Sequence, residues 1–147
     1  MSKGLSKLKK CQVVNVTDPD AHPEPGLATV VIEFSNRTEL QIGYWRIIKN
    51  NRASTSSFDH QQKYGLPALI NAKEEIKNVL QGKEVLDAKL EIETGDIIID
   101  FNDNLKLQVF NFTGYEVWEF RLPDGAVEYS NYNKEKEKGT GTFLGTG

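Results

Sequence analysis

Apolar and polar residues alternate with period two along much of this chain. Ile97, Ile99 and Phe101 fall on one side of a run, with Ile98 and Asp100 on the other. Successive strand side chains point to opposite faces, so strict alternation marks a half-buried strand. The pattern returns in Leu105, Leu107 and Val109 against Lys106 and Gln108. It returns again in Trp118, Phe120 and Leu122 against Val117, Glu119 and Arg121. Asn102-Asp103-Asn104 and Pro123-Asp124-Gly125 separate these runs. Both are turn chemistry: Asn and Asp tolerate left-handed backbone, Pro presets φ, and Gly has no Cβ to clash. Residues 95–128 therefore predict a meander of about four antiparallel strands.

Upstream, Cys11–Thr17 reads as a first strand. Leu27–Phe34 reads as a second, with Val30, Ile32 and Phe34 inward. Glu39–Ile48 reads as a third, with Leu40 and Ile42 inward. Asp18–Gly26 holds three prolines and must be a loop. Lys49–Gly65 is rich in Ser, Asn and Gln. It reads as a long excursion with one short strand near Arg52–Ser56. Leu69–Gln81 has Leu69, Ala72, Ile76, Val79 and Leu80 at helical spacing, after Pro67 and before Gly82. That spacing and those boundary residues predict a helix packed on a sheet face. Lys83–Glu93 gives one more strand, with Ala88, Leu90 and Ile92 on one face. Residues 1–7 read as a frayed terminus. After Tyr129 the chain becomes Gly-rich and polar, which predicts a flexible tail over residues 131–147.

The two halves resemble each other. Ala28–Phe34 aligns with Gly95–Phe101, and in the same register Leu40-Gln41-Ile42 falls on Leu107-Gln108-Val109. Leu8–Thr17 resembles Leu80–Lys89. Tyr44-Trp45 matches Tyr115 and Trp118. Repeat one covers residues 8–48, the excursion and helix 49–82, and repeat two 83–129, within one domain of residues 1–130. The fold class expected is α+β: an antiparallel sheet of about eight strands, curved or half-open, with one helix between the repeats. Trp45 and Trp118, at equivalent places, are expected to pack as core near the pseudo-axis rather than serve as stacking platforms.

Composition narrows the function classes. The chain has 147 residues, net charge -3 and a pI near 5.5, so it has no bulk attraction for nucleic acid or anionic lipid. Cys11 is the one cysteine, so no intrachain disulfide exists, and a reducing, cytoplasmic address is expected. The basic N-terminus is followed by no apolar segment of secretory type, and no apolar run has the length of a membrane span. The charge is unevenly spread. Residues 84–128 hold eleven acids against Lys89, Lys106 and Arg121, a local net of -8.

Thr94-Gly95-Asp96, an apolar strand, an Asn/Asp turn, then Tyr115-Glu116-Val117-Trp118 and the Gly125 turn form a recognisable series. With Trp45-Arg46-Ile47 in the first half, this series resembles small duplicated bacterial immunity proteins. These are encoded beside polymorphic, contact-dependent toxins of the wall-associated and Rhs type. The resemblance covers roughly residues 13–129. It implies a non-enzymatic antitoxin that binds the C-terminal domain of a cognate toxin and blocks its active site. No catalytic residues, cofactor or metal carry over, and the resemblance involves no direct contact with nucleic acid or membrane.

Charge suggests where such a partner would sit. Carboxylates standing in for phosphates could cover a nuclease site, and charge complementarity speeds encounter. The candidate toxin-binding residues are Glu91, Asp100, Asp103, Glu119 and Asp124, expected on one face of the second repeat. Two rival chemistries remain open. Asp59-His60 offers an imidazole beside a carboxylate, as a minor enzyme would use, but no nucleophile accompanies it. Asp18, Asp20, His22 and Glu24 alternate in the Pro-rich loop, although their spacing fits no calcium or zinc motif. A small-ligand or scaffold domain is the third alternative.

Overall fold

A computed structural model describes residues 3–19, 28–111 and 117–130 of the chain. The expected flexible tail, Asp20, His22 and Glu24 of the Pro-rich loop, and Tyr115-Glu116 lie outside the described residues. The class is α+β, with two five-stranded antiparallel sheets, neither closed into a barrel, and one main helix. The strands are β1 Val13–Thr17, β2 Val30–Phe34, β3 Glu39–Ile42, β4 Trp45–Lys49, β5 Arg52–Ser56, β6 Val85–Leu90, β7 Ile97–Phe101, β8 Leu105–Val109, β9 Trp118–Arg121 and β10 Val127–Tyr129. The first sheet runs β1-β2-β3-β9-β10 and the second β5-β4-β8-β7-β6.

The repeat holds at the level of register. In the first hairpin Val30 faces Ile42 and Ile32 faces Leu40. In the second Ile97 faces Val109 and Ile99 faces Leu107. The edge strands carry matching bulges, between Val13 and Asn15 and between Val85 and Asp87. Every residue expected inward on these hairpins is buried: Val30, Ile32, Phe34, Leu40, Ile42, Ile97, Ile99, Phe101, Leu107 and Val109.

One expectation needs correction. The halves do not each form their own sheet, nor do they merge into one. Each half builds three strands of a sheet and sends its last two strands into the other. Thus β4 pairs with β8, and β9 pairs with β3, in equivalent register: Trp45 faces Val109 as Trp118 faces Ile42. Glu39–Ile48 is therefore two strands in different sheets. A phase change marks the crossing, because Leu40 and Ile42 are inward and then Trp45 and Ile47, three residues on, resume the alternation. A bulge produces the same slip inside one sheet, as at Val13 and Asn15, so it is the change of partners, from β2 and β9 to β8 and β5, that shows the chain has left its sheet.

Backbone bonds at the join are reciprocal. The Val13 N–H donates to the Lys83 carbonyl (2.8 Å), and the Val85 N–H donates to the Cys11 carbonyl (2.7 Å). Gly82 N–H donates to Val13, and Lys10 N–H to Val85 (both 2.8 Å). Gly82 and Lys10 both adopt positive φ, at 86° and 74°. The tryptophans repeat the theme. Trp45 donates its indole N–H to the Ala28 carbonyl (2.9 Å), and Trp118 donates its own to the Gly95 carbonyl (2.8 Å). Each backbone N–H donates to a buried serine hydroxyl, Ser57 Oγ (3.0 Å) and Ser130 Oγ (3.2 Å). Both indoles are core, and each ties a strand of one sheet to the chain entering the other. The inner faces of both sheets and both helices share one continuous core.

The helix α2 spans Ala72–Leu80, three residues shorter at its start than its apolar stripe suggested. Asn71 caps it by accepting from the Glu74 N–H, and Glu74 and Glu75 sit in the first turn, where carboxylates complement the dipole. Leu69 is exposed because the Ile70 N–H pairs with the Gln62 carbonyl in a folded-back loop. Ala72, Ile76 and Leu80 are fully buried, and the helix lies against β1. Ile92, expected inward, is 91% exposed, because β6 ends at Leu90 and the chain turns there.

The N-terminus is not frayed over residues 3–7. A short helix, α1 Lys3–Ser6, packs near β6 and buries Gly4 and Leu5, with Leu8 behind it. Lys3 and Gly4 donate their N–H groups to the Glu128 carboxylate (3.0 Å each). The Phe120 ring lies so close to Gly4 that a Cβ there would stand 2.6 Å from Cγ, so only glycine fits.

Candidate partner-binding surface

Strand exchange decides where the five candidate acids fall. Asp100 lies on β7, outward and half-buried, 3.5 Å from Lys106 Nζ. Asp103 sits in the β7–β8 turn at φ 64° and pairs with Lys83 (2.9 Å). Glu91 is exposed where β6 ends. These three belong to the second sheet. Glu119, on β9, pairs with Arg121 (2.7 Å), and Asp124 accepts from the Ala126 N–H in the β9–β10 turn (2.9 Å). These two belong to the first sheet. The five acids therefore do not share one face, contrary to the expectation from their place in the second repeat.

The structure instead groups a different set. Asp87 on β6 stands directly across from Asp100 on β7, and Lys106 on β8 stands across from Asp100 on its other side. With Ile48, Leu86, Asn51 and Asn104 they line an open depression of about 530 Å³ on the second sheet. Leu86 is half-exposed there. Like charges directly opposite across a ladder weaken the pair, and one lysine offsets only one of two carboxylates. Residues 83–109, which build this side, carry seven acids against three lysines. The equivalent positions on the first sheet hold Asn15, Glu33 and Glu39, and there Arg121 approaches Glu39 at 3.8 Å. In place of that arginine the second sheet has the apolar Ile48. Asp87 was missed from the sequence, where it counted only toward the acidic excess of residues 84–128, and its pairing with Asp100 depends on the bulge.

A second cluster had no sequence signal beyond its aromatic residues. Tyr44 stacks on Phe58 (ring centroids 5.8 Å apart), and Phe58 meets Phe110 at 6.5 Å. The Arg46 guanidinium lies over the Phe110 ring, 5.3 Å from its centroid, and its Nε donates to Gln108 Oε1 (2.8 Å). Phe58 and Phe110, with Thr94, Asp96 and Asn111, border a shallow hollow of about 420 Å³. The symmetry between the halves fails here. Glu119 takes the place of Arg46, Val117 that of Tyr44, and Gly43 that of Phe110.

Asp59 and His60 are adjacent in sequence but serve different partners. Asp59 Oδ2 accepts from the Ser56 N–H (2.9 Å) and closes a capping box, while Oδ1 accepts from the Tyr64 hydroxyl (3.0 Å). His60 is buried, and its Nδ1 accepts from the Ala72 N–H at the start of α2 (3.1 Å). That bond satisfies a donor the helix itself leaves open, and it requires an unprotonated nitrogen. Burial, reinforced by the charge of Lys73, holds the imidazole below its ordinary pKa against a weaker opposite pull from Asp18. In the unfolded chain His60 protonates near pH 6.5, while the folded chain resists until lower pH. The contribution is therefore complete above about pH 6.5 and lost as pH falls below it. Urea melts between pH 5 and 8 should show this slope in the wild type and a flatter one in His60→Ala. The variant should also lose about 1–3 kcal/mol at pH 7.5, because the Ala72 N–H is left buried and unpaired.

Asp18, the one described member of the Pro-rich acidic group, pairs with Lys73 (3.0 Å). Among the described residues no group of three or more His, Cys, Asp or Glu is placed to hold a metal ion. Among them, too, no helix is long and apolar enough to cross a membrane. No family model matches the chain, and no curated protein or solved structure is similar enough to indicate a relationship.

Proposed function

We propose that this chain is an immunity-type protein that neutralises a basic toxin domain by covering it with the outer face of the second sheet. The supporting observation is the facing pair Asp87 and Asp100 in an open depression beside the apolar Leu86 and Ile48. An arrangement unfavourable for the isolated sheet becomes favourable when a partner supplies lysine or arginine. Half-exposed aliphatic residues beside the acids add apolar area that a charge-only surface lacks. Glu91, past the end of β6, and Asp103, in the β7–β8 turn, stand at the margins of the second sheet outside the depression, while Glu119 and Asp124 belong to the first sheet.

Binding kinetics against a candidate basic toxin domain test the reading. Asp87→Lys with Asp100→Lys should slow association by about tenfold or more at low salt and much less at high salt. Reversing Glu119 and Asp124 should have a smaller effect. Melting curves should stay within about 0.5 kcal/mol for Glu119 and Asp124 and within about 1–2 kcal/mol for the Asp87 and Asp100 reversal, which replaces the Asp100–Lys106 pair by a like-charged one. Unchanged affinity in the first variant, with its melt intact, rejects this face and directs attention to the Tyr44–Phe58–Phe110 cluster.

A further inference from the structure

The covalent connection between the halves is a single loop, and the contacts between them run elsewhere. Gln61–Leu69 is exposed throughout. Its base is closed by the Gln61 N–H to the Ile70 carbonyl (2.7 Å) and the Ile70 N–H to the Gln62 carbonyl (2.8 Å). Beyond that base, the halves are joined by two complete strand pairs, β3 with β9 and β4 with β8. They are also joined by the four reciprocal backbone bonds around Val13 and Val85, and by each helix packing on the other half's edge strand. The Ala72 N–H to His60, Lys73 to Asp18, and the Lys3 and Gly4 N–H groups to Glu128 add side-chain contacts between the halves, while each tryptophan stands on an exchanged strand in the other half's sheet and its indole reaches back to its own half's chain. None of these contacts passes through residues 61–70.

We infer that the two halves are mutual binding partners and that the Gln61–Ile70 loop is a dispensable hinge. A half alone lacks the strands that cover its β3 or β8 edge, so its natural ligand is the other half, in cis or in trans. The pairing surface is that of a strand-exchanged dimer compressed into one chain, and exchange of identical elements is a low-cost route to association. Apart from the bonds at its base and the Tyr64 hydroxyl to Asp59, the loop contributes effective concentration rather than contacts between the halves.

The experiment cuts the folded full-length protein at a protease site placed across Lys63–Leu66. The cut protein should elute at the size of the intact one and keep its circular dichroism at micromolar concentration. Its melting midpoint should fall on tenfold dilution, whereas that of the uncut protein should not move. A second variant checks which strands hold the pieces. Gln41 and Glu119 are partners across β3–β9, so Gln41→Cys with Glu119→Cys, in a Cys11→Ala background, should form a disulfide. After cutting, the two pieces should run as one band on a denaturing gel without reductant and as two with it. Separation of the cut protein into unfolded pieces at micromolar concentration overturns the inference. Thiols that remain unreacted under oxidant in the folded, cut protein overturn the strand assignment on which it rests.

Discussion

Replacing Trp45 by alanine should cost about 3–5 kcal/mol, the range for removing a large buried aromatic. Trp45 is fully buried, so the whole side chain leaves a void lined by both sheets. Its loss also removes the indole N–H from the Ala28 carbonyl, one of the bonds that ties the second sheet to the first. For a chain of this size the loss should lower the melting temperature by roughly 6–20 °C. Trp118→Ala should fall in the same range, since Trp118 holds the equivalent bond to Gly95 and is nearly as buried. Trp45→Phe separates the two contributions: it keeps most of the apolar volume and should lose about 1–2 kcal/mol for the hydrogen bond. Thermal and urea denaturation of the three variants supply the comparison. A loss below about 1 kcal/mol for either alanine variant would mean that the sheets are not joined through these indoles.

The second large effect is expected at Leu8. Leu8→Ala should cost about 2–5 kcal/mol, comparable to Leu80→Ala, because both leucines are fully buried and precede their edge strands at equivalent places. A frayed terminus would give almost nothing. The comparison therefore measures whether α1 is the counterpart of the last turn of α2. The two single losses should be similar within about 1 kcal/mol if the surrounding packing is equivalent. Urea unfolding with an unchanged m-value would show that the loss is native packing rather than a change in the unfolded ensemble.

Both effects depend on an architecture that was only partly legible in the sequence. Period-two alternation located the strands and chose their buried faces. All ten inward residues assigned to the two central hairpins are buried, and the hairpin registers match between the halves. The Asn and Gly turns, the β5 strand and the stripe of Ala72, Ile76 and Leu80 were equally local, because each is fixed by backbone preference and a few neighbours. The N-terminal helix was missed because its four residues carry no period of their own: Leu5 and Leu8 are held by tertiary contacts.

For the candidate surface, the sequence identified the excess of acids and their outward phase. It could not say which acids are neighbours. Alternation records which face of a strand is buried, but not beside which strand it lies. An arrangement with β4 kept in its own half satisfies the same pattern of apolar residues as the exchanged one. Only the shared core, closed by Trp45 and Trp118 across the two sheets, selects between them. That selection moved Glu119 and Asp124 away from Asp100 and Asp103 and placed Arg46 over Phe110, while the facing of Asp87 and Asp100 follows from the bulge in β6. The identity of each strand was local, while its neighbours were set by burial between residues far apart in the chain.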